Sequence, residues 1–179
     1  RRRFAQALGV LEEKITEEWL HLVERLIKPN LISKGAIKEV IYAGEDIDLK
    51  VLPILTHFQQ DAGPYITGGI LVAKDPETGV GNASFHRLQV KGKDKLGVSL
   101  HSRRHLWDYQ RRAEEVGKPL EVAIVIGAHP LFYFGGLWKG RMDVDEYDVI
   151  GGFMGIPLEV VEAETLNLQI PAHAEIVIE

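Results

Sequence analysis

Cysteine is absent from these 179 residues. That removes disulfides, thiolate nucleophiles and Cys-ligated zinc together, and fits a reducing, cytoplasmic setting. Long apolar runs are absent too: none approaches the ~20 residues that span a bilayer, and no signal-peptide pattern opens the chain. Neither charge sign dominates. Lys and Arg number 21 against 26 Asp and Glu, a formal charge of −5, so there is no global basic field for nucleic acid. Basic residues cluster only locally, at Arg1–Arg3 and at Arg103 and Arg104 with Arg111 and Arg112. A Gly-x-Gly-x-x-Gly fingerprint, a P-loop and a nucleophile elbow are all missing. Dinucleotide binding of the Rossmann type, P-loop phosphate binding and Ser-His-Asp hydrolysis therefore have no support.

What remains is ordinary for a globular domain: 45% hydrophobic, 26% charged, mean hydropathy −0.05. The length suits one substantial domain, or a domain with a helical arm. The chain opens in Arg1-Arg2-Arg3-Phe4 as though within a helix and closes on the apolar run Ala174–Glu179, so a larger parent protein is expected. Leu8, Leu11, Ile15, Trp19, Leu22, Val23 and Leu26 carry helical periodicity over residues 3–27, and Pro29 ends it. From about residue 64 the texture turns to strands: Ile66 to Ala73, Ala83 to Val90, Gly97 to His101, Glu121 to Ile126, Leu158 to Ala163 and Ala174 to Ile178. Helices are expected over Ser102 to Val116, stopped by Gly117, and over Asp145 to Met154. The predicted architecture is a mixed β-barrel or sandwich with helices, preceded by the helical arm.

The stretch from Asp75 to Arg87 is the most informative. Pro76 fixes a backbone angle, Gly79 and Gly81 permit angles a Cβ forbids, and Asn82, Ser84 and Arg87 follow the turn. That set suits a phosphate, a metal or a carboxylate, although a solvated strand end has the same look. Strand alternation puts Phe85, Arg87 and Gln89 on one face and His86, Leu88 and Val90 on the other. Downstream, His105 falls in the first turn of a helix, where exposed N–H groups favour anions. Glu146 opens another helix, where Asp143-Val144-Asp145-Glu146 also reads as a capping box. Asn82, His105 and Glu146 together offer an amide oxygen, an imidazole and a carboxylate, a mixed set suited to Mn²⁺, or to Mg²⁺ with a phosphate. His21, His57, His101 and His173 read as structural, and His129-Pro130 lies at a strand end where pockets form.

With these residues in view the chain resembles the UbiD family of decarboxylases. The resemblance runs through Gly44–Leu49, Leu52–Leu55, Asp61–Thr67, Asp75–Gly79, Asn82–Arg87, Ala123–Pro130 and Ile170–Glu179, in order. It implies an α+β fold: a split β-barrel of the FMN-binding kind with flanking helices, residues 1–45 being the arm and 46–179 the flavin domain, truncated at its end. It implies prenylated FMN as cofactor, made by a flavin prenyltransferase, with a divalent metal and a potassium ion anchoring the phosphate. Asn82, His105 and Glu146 match the family's metal positions. Ser84, Phe85, His86 and Arg87 match the strand lining the cofactor, and Ser99, Leu100, Arg103 and Arg104 the next cofactor-contacting segment. Arg87 matches the catalytic arginine, whose two partner glutamates would follow Glu179, so the fragment alone is expected to be inactive.

The implied reaction is reversible, non-oxidative loss of CO₂ from an aromatic or α,β-unsaturated acid, as in ubiquinone biosynthesis, by a homo-oligomer. Two other classes stay open. An FMN-binding split-barrel oxidoreductase would need no metal, and a non-catalytic assembly module would use the apolar arm as an interface.

Overall fold

The computed structural model describes residues 1–102 and 104–179. The chain begins with α1 (Arg2–Leu8) and α2 (Ile15–Glu24), then the short β1 (Asn30–Leu31) and three single 3-10 turns between residues 36 and 51. Next come β2 (Tyr65–Ile66), β3 (Ile70–Lys74), β4 (Gly81–Phe85), β5 (Leu88–Val90) and β6 (Leu96–Val98). The remainder is α3 (His105–Glu115), β7 (Val122–Ile126), α4 (Pro130–Leu137), α5 (Glu146–Met154), β8 (Glu159–Glu162), β9 (Gln169–Pro171) and β10 (Ile176–Ile178). Among the described residues no helix is long and apolar enough to cross a membrane.

The continuous apolar runs make the centre. Strand β3 reads Ile-Leu-Val-Ala and β7 reads Val-Ala-Ile-Val-Ile, without polar alternation, and both are covered on two faces. They pair antiparallel, Ile70 against Val125, in a four-stranded sheet ordered β10-β7-β3-β4. One face packs with Phe132, Ile150, Leu158 and Val160, the other with Leu88, Leu106 and Tyr109. Two further sheets, β2-β5-β6 and β1-β8-β9, complete the strands. The mixed α/β composition is as expected, but these three sheets do not close into a barrel.

The single strand expected over Ala83 to Val90 is two strands. Residues up to Phe85 pair with β3, whereas Leu88 to Val90 pair with β2 and β6, and His86-Arg87 is the crossing between sheets. The two unpaired residues leave the alternation in step, so the expected opposition of Arg87 and Leu88 holds across the break. Leu88 is buried in the core cluster with Leu71 and Ile124, and Arg87 is exposed.

Helix α4 has no counterpart in the sequence reading. Its eight residues are nearly all apolar and show no amphipathic period, because it is enclosed by α5 and the central sheet. Its glycines allow the approach: a Cβ on Gly135 would overlap the Ile150 side chain, and one on Gly136 would lie 2.6 Å from Ile70 Cδ1. Gly135→Ala would gain about 1 kcal/mol of helix propensity but incur overpacking of about 1–3 kcal/mol. The overlap wins. A net loss near 1 kcal/mol is expected by urea denaturation, with Ile150→Val alongside it restoring part of the loss.

Residues before 45 are tied to the same core. Trp19, Leu22 and Val23 of α2 pack with Val149 and Phe153 of α5, Phe4 stacks on Phe134 with ring centroids 4.9 Å apart, and β1 pairs parallel with β8.

Candidate functional site

The site begins with the turn that feeds β4. Asp75 is buried, and its Oδ1 accepts the backbone N–H of Glu77 at 2.9 Å and of Thr78 at 3.3 Å. Arg112 of α3 grips the same carboxylate at 2.8 Å and 3.0 Å. Gly79 needs its left-handed conformation, φ +75°. Gly81 is required for a different reason than the expected one. Its φ is not positive, but a Cβ there would lie 2.5 Å from Asp145 Oδ2, which accepts the Gly81 N–H at 2.9 Å.

Once past Gly81, alternate residues of β4 point one way. Asn82, buried at 4% exposure, donates from Nδ2 to Glu146 Oε1 at 3.0 Å. Ser84 Oγ donates to Asn82 Oδ1 at 2.9 Å and lies 3.1 Å from His86 Nε2. Ala83 and Phe85 turn the other way into the core, Phe85 against Tyr133 at 5.8 Å between centroids.

Glu146 is not part of a capping box. Asp145 caps α5 by accepting the Tyr147 N–H at 2.8 Å, and Asp143 pairs with Arg141 outside. Glu146, at the first helical position, is therefore free to turn inward, and it is 2% exposed. His105, the first residue of α3, brings Nδ1 to 3.4 Å from Glu146 Oε1. The elements expected to supply three ligands do converge.

Electrostatics follows from burial. Loss of water raises the Glu146 carboxyl pKa, partly opposed by His105. Its hydrogen bond to Glu146 raises the His105 pKa, against the opposite pull of its own burial. Burial lowers the His86 pKa first, with help from Arg104 and His101, which favours its neutral form. Glu146 Oε1 has its partners, but Oε2 is buried with no hydrogen bond. A carboxylate, an imidazole and a carboxamide form a donor set for Mn²⁺ or Mg²⁺, and the unpaired Oε2 is an atom such a cation would satisfy. Among the described residues no three His, Asp or Glu side chains gather elsewhere, and here the third donor is an amide.

The other expected contacts are more dispersed. Arg104, exposed at the N-terminal edge of α3, is close enough to depress His86. Ser99 is exposed just after β6, and Leu100 packs on the Leu71 cluster. Arg87 is exposed, its guanidinium carbon 5.9 Å from the Tyr65 ring centroid. Arg103 lies outside the described residues. Arg112, Asp75 and Tyr109, which frame the site from behind, were missed. Their signal was the helical spacing of His105, Tyr109 and Arg112 at i, i+4 and i+7.

Comparison with known proteins accords with this geometry. Residues 30–179 match the family described as UbiD, 3-octaprenyl-4-hydroxybenzoate carboxy-lyase Rift-related domain. The anhydromevalonate phosphate decarboxylase of Methanothermobacter thermautotrophicus is 39% identical over 179 residues, all of this chain and 41% of that protein. The structure of the UbiD-class enzyme HmfF from Pelotomaculum thermopropionicum in complex with FMN superposes with a TM-score of 0.91 at 43% identity, covering 97% of this chain and 39% of that one. The Klebsiella pneumoniae 3,4-dihydroxybenzoic acid decarboxylase AroY gives 0.89 at 30% identity, with 98% and 38% covered. The chain thus spans about two fifths of the relatives it matches. With its polar residues gathered at the start of β4, α3 and α5, this chain belongs to the UbiD family.

Proposed function

We propose that this chain is the flavin-holding portion of a carboxy-lyase that reversibly removes CO₂ from an aromatic or α,β-unsaturated acid, using prenylated FMN and a divalent metal. The observation that carries the reading is the buried meeting of Asn82, His105 and Glu146 with one carboxylate oxygen unpaired. We infer further that the four-stranded sheet and the β2-β5-β6 sheet, joined at His86-Arg87, are the two halves of a split barrel. Both are what the family resemblance implies.

In this reading Asn82, His105 and Glu146 hold the ion, whose charge supplies an anchor for the cofactor phosphate. Ser84 and Arg104 add a hydroxyl donor and a cation on the same side, and neutral His86 can donate without repelling the ion. Prenylated FMN, when bound, supplies the electron sink for the carbon–carbon cleavage. Arg87 pairs with no carboxylate among the described residues, and in this reading its planar fork would take the substrate carboxylate.

The test is CO₂ release by the full-length protein that carries this chain, coexpressed with a flavin prenyltransferase and supplied with Mn²⁺. The relatives named for anhydromevalonate phosphate and 3,4-dihydroxybenzoic acid place an aliphatic and an aromatic acid in the trial. Arg87→Lys keeps the charge and loses the fork, so kcat/KM should fall about 30-fold, roughly 2 kcal/mol, with flavin still bound. Flavin uptake unaffected by EDTA would favour the metal-free oxidoreductase instead. An unchanged kcat/KM in Arg87→Lys would remove the arginine from the reaction.

A further inference from the structure

Among the described residues three side-chain atoms in the interior behind the site have no hydrogen-bond partner: Glu146 Oε2, the Tyr109 hydroxyl and Arg112 Nε. They belong to one neighbourhood. Tyr109 is completely buried on α3, one turn beyond His105 on the same face. The Arg112 guanidinium lies over its ring, 5.4 Å from the centroid. The charges of Glu146, Asp75, Arg112 and Asp145 are all felt at the Tyr109 hydroxyl.

Their hydrogen-bonding needs are complementary. The phenol has a proton and no acceptor, Arg112 Nε has a proton and no acceptor, and Glu146 Oε2 has lone pairs and no donor. Burying three such groups unmet is unfavourable. One internal water placed among the three atoms would satisfy all of them, accepting from Tyr109 and Arg112 and donating to Oε2. A cation in that position is disfavoured by the adjacent guanidinium. The other lone pair of Oε2 is left for the metal.

We propose that Tyr109 is a positioning residue for Glu146, holding its carboxylate through one internal water so that Oε2 faces the metal site. The metal half of this inference rests on Glu146 being a ligand, as proposed above, while the water link stands on the three unpaired atoms. Ligating groups are commonly oriented by such outer partners, at 10- to 100-fold in metal affinity.

The test uses the purified protein and Tyr109→Phe, which keeps the ring and its contact with Arg112. Mn²⁺ affinity, read by EPR titration, should weaken about tenfold. Ile170→Ala, a core change in a separate cluster, should lower Tm further yet leave Mn²⁺ affinity alone, separating positioning from general stability. A crystal structure at high resolution should show solvent within hydrogen-bond distance of both Tyr109 Oη and Glu146 Oε2. Unchanged Mn²⁺ affinity in Tyr109→Phe, or no solvent between those atoms, overturns the proposal. Should the unaltered protein take up no Mn²⁺, the metal reading fails, and the crystallographic water alone decides the link.

Discussion

Arg112→Met should lower the free energy of unfolding by about 3 kcal/mol, because it leaves a buried carboxylate without its cation. Arg112 reaches Asp75 at 2.8 Å, Asp108 at 2.8 Å and Glu77 at 3.2 Å. These contacts are not equal. Glu77 is largely exposed and contributes little, whereas the Asp75 side chain is 4% exposed and keeps only two backbone N–H partners once the guanidinium is gone. The expected loss therefore sits at the lower end for a broken buried pair, and urea denaturation at pH 7 measures it. Acid behaviour provides the second reading. Burial alone would raise the Asp75 pKa, but the Glu77 and Thr78 N–H groups and Arg112 outweigh it and hold the carboxyl below its ordinary value. A depressed folded pKa contributes stability that is present above about pH 4 and lost as pH falls through the folded value. The unaltered protein should thus lose stability steeply below pH 4, and Arg112→Met more shallowly. Equal slopes would show that Arg112 does not hold the carboxylate. The turn at stake delivers Asn82 to the site, so its loosening should also weaken metal uptake.

The meeting of Asn82, His105 and Glu146 was only weakly legible in the residues, each of which falls at an element start, and it was the family resemblance that grouped them. Asn82 follows the turn, and His105 and Glu146 open α3 and α5, where side chains are placed by the first helical turn rather than by long-range packing. Glu146 was ambiguous for a definite reason. A carboxylate at a helix start serves the dipole whether it faces solvent or interior, and only Asp145, capping in its place and held by Gly81, turns it inward. The crossing at His86-Arg87 was invisible because its neighbours alternate as a continuous strand does, and distant upstream partners, Ile70 for Phe85 and Ile66 for Leu88, decide where it breaks. Helix α4 was hidden by its uniform apolarity. Arg112 read as one member of a basic cluster with Arg103, Arg104 and Arg111, and nothing local distinguishes it as the one that meets Asp75 across the fold.

Glu146→Gln should weaken Mn²⁺ binding by at least about 100-fold, beyond the loss that outer partners cause, while leaving the fold as stable or more so. The two effects separate because they depend on different terms. Gln keeps an oxygen for the Asn82 amide but not the charge that a divalent ion needs. It also relieves the burial of that charge, which is what raises the Glu146 pKa. The counterweight is His105, whose pKa is raised by Glu146. A raised histidine contributes stability that is full below about pH 6.5 and lost as pH rises through its folded value. Metal-free protein should therefore become less stable as pH rises through that range, and Glu146→Gln should flatten the dependence. Metal binding runs the other way: an ion must displace the His105 proton, so Mn²⁺ affinity should strengthen over the same rise in pH and level off above it. Calorimetric titration at several pH values measures the second trend and thermal unfolding without metal the first. Strong Mn²⁺ binding retained in Glu146→Gln would place the ion elsewhere and detach this carboxylate from the cofactor's anchor.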